Sequence, residues 1–100
     1  MSRTRELYHA NPHQPHFLVR SLLRDEPALD TIARLLQGRA TRTELTHPVT
    51  GTSSLRKLMR LELVASYNIG GTFYYQLRHV PAYLATAARE RIAQPLRQAA

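Results

Sequence analysis

A mainly helical α+β domain with one small β-hairpin is the fold class this sequence predicts. Three observations predict it. Apolar residues recur at helical spacing in several separate runs. Two runs of period two flank the pair Gly70-Gly71. The chain has 100 residues, 43% hydrophobic and 21% charged, which suits one domain around one modest core.

The elements follow in order. Residues 1–15, with Pro12 and Pro15, show no period and read as a flexible arm. His16 to Asp25 reads as a short helix with Leu18, Val19, Leu22 and Leu23 on one face. The stretch "EPALDTIARLLQG" reads as a second helix. Asp25 or Glu26 can cap it, Pro27 suits its first turn and Gly38 can close it. Its Leu29, Ile32, Ala33 and Leu36 form one stripe. Thr41 to His47 leaves room for about two helical turns with Leu45 facing in. A basic helix follows, beginning at Pro48 or Thr52 and placed at about residues 50–61. Its Leu55, Leu58 and Met59 point inward, while Thr52, Ser53, Arg56, Lys57 and Arg60 point outward.

After Leu63 the period becomes two. Gly-Gly supplies the positive φ angles of a two-residue hairpin turn, which pairs Ile69 with Thr72 and Tyr67 with Tyr74. Phe73, Tyr75 and Leu77 mark the core face. The Tyr67–Tyr74 pair is expected to brace the hairpin across its strands, or to stack on a partner. The last helix, after Pro81, carries Leu84, Ala87, Ala88 and Ile92 on one stripe. Pro95 is expected to end it, leaving a frayed tail over 95–100 and a single domain over 16–94.

The charge of +7, with a pI near 10.8, points to a polyanionic partner, and nucleic acid is the commonest. Every basic residue except Lys57 is arginine. The chain has no cysteine, which excludes disulfides and thiolate chemistry. No apolar run approaches the ~20 residues of a membrane span, and the N-terminus lacks the apolar core of a secretion signal. No membrane partner and a cytoplasmic location are therefore expected. Ser53 and Ser54 lack a nucleophile-elbow context, and the seven acids are scattered, so no catalytic residues are expected. His9, His13 and His16 have a ligand-like spacing. Pro12 and Pro15 break any helix that would align them, so no metal or other cofactor is expected.

The order of helices, basic helix and hairpin resembles the winged helix-turn-helix domain of small bacterial transcription regulators. The arsenic-repressor-like (ArsR) group is closest and the multiple-antibiotic-resistance-like (MarR) group next. The residues that carry the resemblance are Leu55, Leu58, Leu63, Val64, Tyr75 and Leu77, and it covers roughly residues 26 to 80. Three places depart from the pattern. Glu62 stands where such domains usually have glycine, at a cost of about 1 kcal/mol if the position is left-handed. The hairpin tip "YNIGGT" has no cation. The turn "LTHPVTG" holds a proline and a glycine where these domains run straight into helix.

The resemblance implies a sequence-specific regulator of double-stranded DNA, a homodimeric repressor with the basic helix in the major groove. Arg56 would pair with guanine, and Thr50, Thr52 and Ser53 would reach bases or phosphates from the N-terminal end. Lys57, Arg60 and Arg42 would contact phosphate. Dimerisation would use Leu18, Leu22 and Leu23 from the first helix and Tyr83, Leu84, Ala87 and Ile92 from the last. The uncharged tip keeps a second reading open: a winged-helix module that binds a protein partner, with DNA binding weak or lost.

Overall fold

A computed structural model describes residues 16–99, with side chains described from 16 to 92. The arm at 1–15, with His9 and His13, lies outside them. The order is α1 (His16–Ser21), a 3-10 turn (Leu22–Arg24), α2 (Glu26–Leu36), β1 (Ala40–Thr41), α3 (Ser53–Arg60), β2 (Val64–Ile69), β3 (Thr72–Leu77) and α4 (Ala82–Ala99). Among the described residues the result is a small α+β fold with four α-helices and a three-stranded antiparallel sheet of order β1-β3-β2.

Local chemistry explains most boundaries. Asp25 is the N-cap of α2, its Oδ1 accepting the Ala28 N–H at 3.1 Å, with Pro27 in the first turn. The α2 stripe is buried at Leu29, Ile32 and Ala33. Leu35 is also buried, whereas Leu36 is only partly so. α2 packs along α4, where Leu84 and Ala88 are fully buried in the same core. One core results, joining Val19 and Leu22 to Leu55, Leu58, Leu63 and Leu84.

The hairpin has the expected register, Ile69 opposite Thr72 and Tyr67 opposite Tyr74. Gly70 and Gly71 take φ values of 58° and 89°, which suit only a primed turn. Asn68 Oδ1 accepts the Gly71 N–H at 2.9 Å and fastens the tip. The rings of Tyr67 and Tyr74 stand 6.1 Å apart, and the Arg39 guanidinium lies 4.7 Å from the Tyr74 centroid.

Five expectations are corrected. First, Thr41–His47 forms hydrogen-bonded turns rather than two turns of helix. Ala40 and Thr41 instead pair with Tyr75 and Tyr74 as a third strand. Glu44 then turns back to accept the Thr41 N–H at 2.8 Å, while Leu45 remains buried. Second, α3 begins at Ser53. His47 and Gly51 exchange two backbone hydrogen bonds of 2.9 Å, and Gly51 sits at φ 63°, so the chain cannot be helical before Thr52.

Third, Phe73 is 55% exposed. It lies opposite Asn68 near the tip, beyond the reach of the core that Tyr75 and Leu77 meet. Fourth, Leu18 and Leu23 are exposed, because the 3-10 turn after Ser21 rotates the apolar face and seats only Val19 and Leu22. Fifth, α4 runs through Pro95 to Ala99. A proline N–H is missing from one bond only, and Leu96, Arg97, Gln98 and Ala99 are good helix formers.

Glu44 is tied to Thr41 and, at 3.3 Å, to Arg34. The Thr41 backbone hydrogen bond, then the Thr41 hydroxyl, hold its carboxyl below the ordinary value of 4.5. A carboxyl lowered on folding contributes stability above its unfolded value and loses it as pH falls through the folded one. Unfolding midpoints of wild type and Glu44→Gln should therefore differ above about pH 4.5 and converge in acid.

Candidate nucleic-acid interface

The segment 47–63 is built to present one face of α3. Leu55 and Leu58 are buried, Met59 partly so, and they anchor the helix to the core. Ser53, Arg56, Lys57 and Arg60 are exposed on the opposite side. The stripe Ser53–Arg56–Arg60 runs about 10 Å along the axis, a length that the ~12 Å major groove of B-DNA admits.

The C-terminal end of α3 is closed by a Schellman motif. The Glu62 N–H donates to Met59 O at 3.0 Å and the Leu63 N–H to Leu58 O at 2.9 Å. Glu62 occupies its left-handed position, at φ 61°. The position is thus left-handed, the condition under which glutamate carries a strain cost there. Replacing Glu62 by glycine relieves about 1–2 kcal/mol of strain, partly offset by glycine's greater unfolded-chain entropy. In urea unfolding, Glu62→Gly should be more stable than Glu62→Ala, which loses the same side chain but keeps the strain, by about 0.5–1 kcal/mol.

The cations near α3 differ in their surroundings. Lys57 Nζ lies 2.5 Å from Asp25 Oδ2, the second oxygen of the residue that caps α2. Its charge is therefore already answered within the protein. Arg56, Arg60 and Arg42 have no ion pair with a described residue. Asp25, Glu26, Asp30 and Glu44 are instead engaged with Lys57, Arg91, His47 and Arg34. Arg56 and Arg60 keep full positive character on an exposed helix, with Ser53 and Met59 lining the depression between them.

The hydroxyl residues fall into two groups. Ser53 is exposed, with Oγ donating to Thr50 O at 2.9 Å. Thr50 and Thr52 are half-buried in the turn rather than on the helix, and Thr50 Oγ1 meets Ser54 Oγ at 3.3 Å. Arg42 stands at the end of β1, in a turn and not at a helix start as expected. Sequence reasoning missed Arg39, whose contact with Tyr74 depends on the unforeseen β1 strand. It also missed Asp25 as the partner of Lys57, since nothing local links residues 32 positions apart.

The expected dimerisation set divides. Leu22 and Leu84 are 1% and 0% exposed, so both belong to the core and offer nothing to a partner. The reason is the packing of α4 on α2 and the 3-10 turn, which uses those positions inside the monomer. Tyr83 and Ala87 are partly buried, and Leu18, Leu23 and Ile92 are exposed. Phe17, unforeseen, is 72% exposed. Burial raises the Tyr83 hydroxyl pKa against the opposing effect of Arg20, which stands 5.5 Å from its ring centroid.

Among the described residues, no group of three or more His, Asp or Glu side chains converges as a metal site would, and no helix is long and apolar enough to cross a membrane. Compared with known proteins, the chain matches no family model, no curated protein and no solved structure.

Proposed function

We propose that this chain is a winged-helix regulator that binds double-stranded DNA sequence-specifically, with α3 in the major groove. The observation that carries the reading is the cationic stripe of Arg56 and Arg60, which have no ion pair among the described residues, on an exposed helix that leads directly into a β-hairpin. Arg56 reads guanine, and Ser53 contacts a base or phosphate. Arg60 and Arg42 hold phosphate, and Lys57 contributes less because Asp25 already occupies it. No part of this role requires catalysis, a cofactor or a metal.

The protein acts as a homodimer through the exposed apolar residues of α1, the 3-10 turn and α4, namely Phe17, Leu18, Leu23 and Ile92. Two copies then place two α3 helices in successive major grooves. Selection from a random duplex pool should enrich an imperfect inverted repeat with half-sites about 10 bp apart, or a multiple of one turn. Sedimentation equilibrium at tens of micromolar should give the dimer mass. An unenriched pool together with a monomer would overturn the reading.

A specific observation favours the second reading, a protein-binding winged-helix module. The hairpin tip exposes Ile69 at 46% and Phe73 at 55%, and its residues 68–72 carry no charge. On that reading the hairpin tip, not α3, makes the principal contact. Phe73→Ser would then abolish partner capture and leave duplex binding untouched.

A further inference from the structure

Asp30 of α2 joins three elements. Its Oδ2 lies 3.2 Å from His47 Nε2, and its Oδ1 accepts from Arg91 Nε of α4 at 3.0 Å, with Arg91 Nη2 2.9 Å away in the same ion pair. On the other side of the imidazole, Nδ1 accepts the Val49 N–H at 3.0 Å and the Thr50 N–H at 3.4 Å. Only one protonation state satisfies this arrangement. It is the neutral ring, with its proton on Nε2 directed at Asp30 and its Nδ1 lone pair directed at the turn.

That turn is the one that launches α3. His47 and Gly51 close it through their paired backbone bonds. Thr50 O then accepts the Ser53 N–H at 3.2 Å and the Ser53 hydroxyl at 2.9 Å. The imidazole therefore stands one residue step behind the groups that fix the N-terminal end of α3.

We propose that His47 is a proton-controlled latch on α3: the neutral ring holds the 47–51 turn closed, and the imidazolium releases it. A second proton must go to Nδ1, since Nε2 already carries one. Nδ1–H then confronts the Val49 and Thr50 N–H groups, donor against donor. The imidazolium is at the same time drawn more strongly to Asp30. The ring stays with the carboxylate and the turn amides lose their acceptor.

The surrounding charges are balanced rather than one-sided. Arg91 stands behind Asp30, with Glu26 3.7 Å from Arg91 Nη1. The Arg34–Glu44 pair lines the same cleft as His47. The effect on DNA rests on α3 being the groove-entering helix, whereas the latch itself does not.

Amide NMR of the full chain tests the latch without DNA. Between about pH 7.5 and about pH 5.5, where histidines change charge, the Val49 and Thr50 resonances should follow the His47 ring with one midpoint, and Ser53 should follow them. His47→Asn puts a non-titrating oxygen near the Nδ1 position, as in an Asx turn, so these amides should then stay still.

A parallel measurement compares a selected duplex with a random one at fixed salt. The wild-type preference should fall about tenfold across that pH range, the scale of losing hydrogen bonds at one helix end, and should not change in His47→Asn. Val49 and Thr50 amides that ignore the His47 titration overturn the proposal. Where the duplex is bound at both pH values, so does a wild-type preference that is the same at each. No duplex binding at either pH, with the amides still following the ring, overturns the DNA reading of α3 and supports the latch.

Discussion

Leu58→Ala is expected to lower unfolding free energy by about 2–5 kcal/mol, the range for emptying a well-packed leucine site. Leu58 is fully buried and lies on the inward side of α3. Its carbonyl also accepts the Leu63 N–H that closes the helix. A domain of this size has about 5–15 kcal/mol in total, so this one truncation removes a large share. Leu18, 42% exposed, is the contrast, and Leu18→Ala should change stability by no more than about 0.5 kcal/mol. Urea titration of both variants, with an unchanged m-value, separates them. A small effect for Leu58→Ala would mean that α3 is not held on the core as described.

The second large effect is on recognition. Arg56→Ala should weaken binding to a selected site by about 1–3 kcal/mol and relax preference at one base position. Arg60→Ala should weaken all sequences alike and lower the salt slope by about one. Lys57→Ala should lower it by less, because Asp25 Oδ2 already lies 2.5 Å from the ammonium. Arg89, exposed on α4, is the control, and Arg89→Ala should leave both quantities nearly unchanged. Arg56→Ala and Arg89→Ala behaving alike on a selected duplex would remove α3 from the interface.

The parts of the fold that were legible in the sequence are those fixed by short-range chemistry. Gly70-Gly71 between period-two runs gave the hairpin and its register, because few turns suit two glycines. Asp25 before Pro27 marked the start of α2, whereas the left-handed backbone of Glu62 stood only as a condition in the sequence and is settled by its φ of 61°. The outward residues of α3 also followed from periodicity alone.

What escaped depended on distant partners. Ala40 and Thr41 have no strand pattern of their own and become a strand only by pairing with β3. The start of α3 was misplaced because the His47–Gly51 bridge and the bonds to the His47 ring compete with helix. Leu22 and Leu84 looked free for a partner copy because nothing local reveals that α4 lies along α2. At the candidate site, the residue types were legible but their pairing was not. Lys57 and Arg60 look equivalent in sequence, and only the fold brings Asp25 to one of them.

On the proposed reading α3 binds duplex DNA through Arg56 and Arg60, which have no ion pair among the described residues. Fluorescence anisotropy of a random duplex, across salt from about 50 mM to about 200 mM, tests it most directly. Wild type should bind at low salt and lose affinity steeply as salt rises, and the double variant Arg56→Ala, Arg60→Ala should bind with a log-log slope shallower by about two. No binding at low salt, or a slope that the double variant leaves unchanged, would contradict the account.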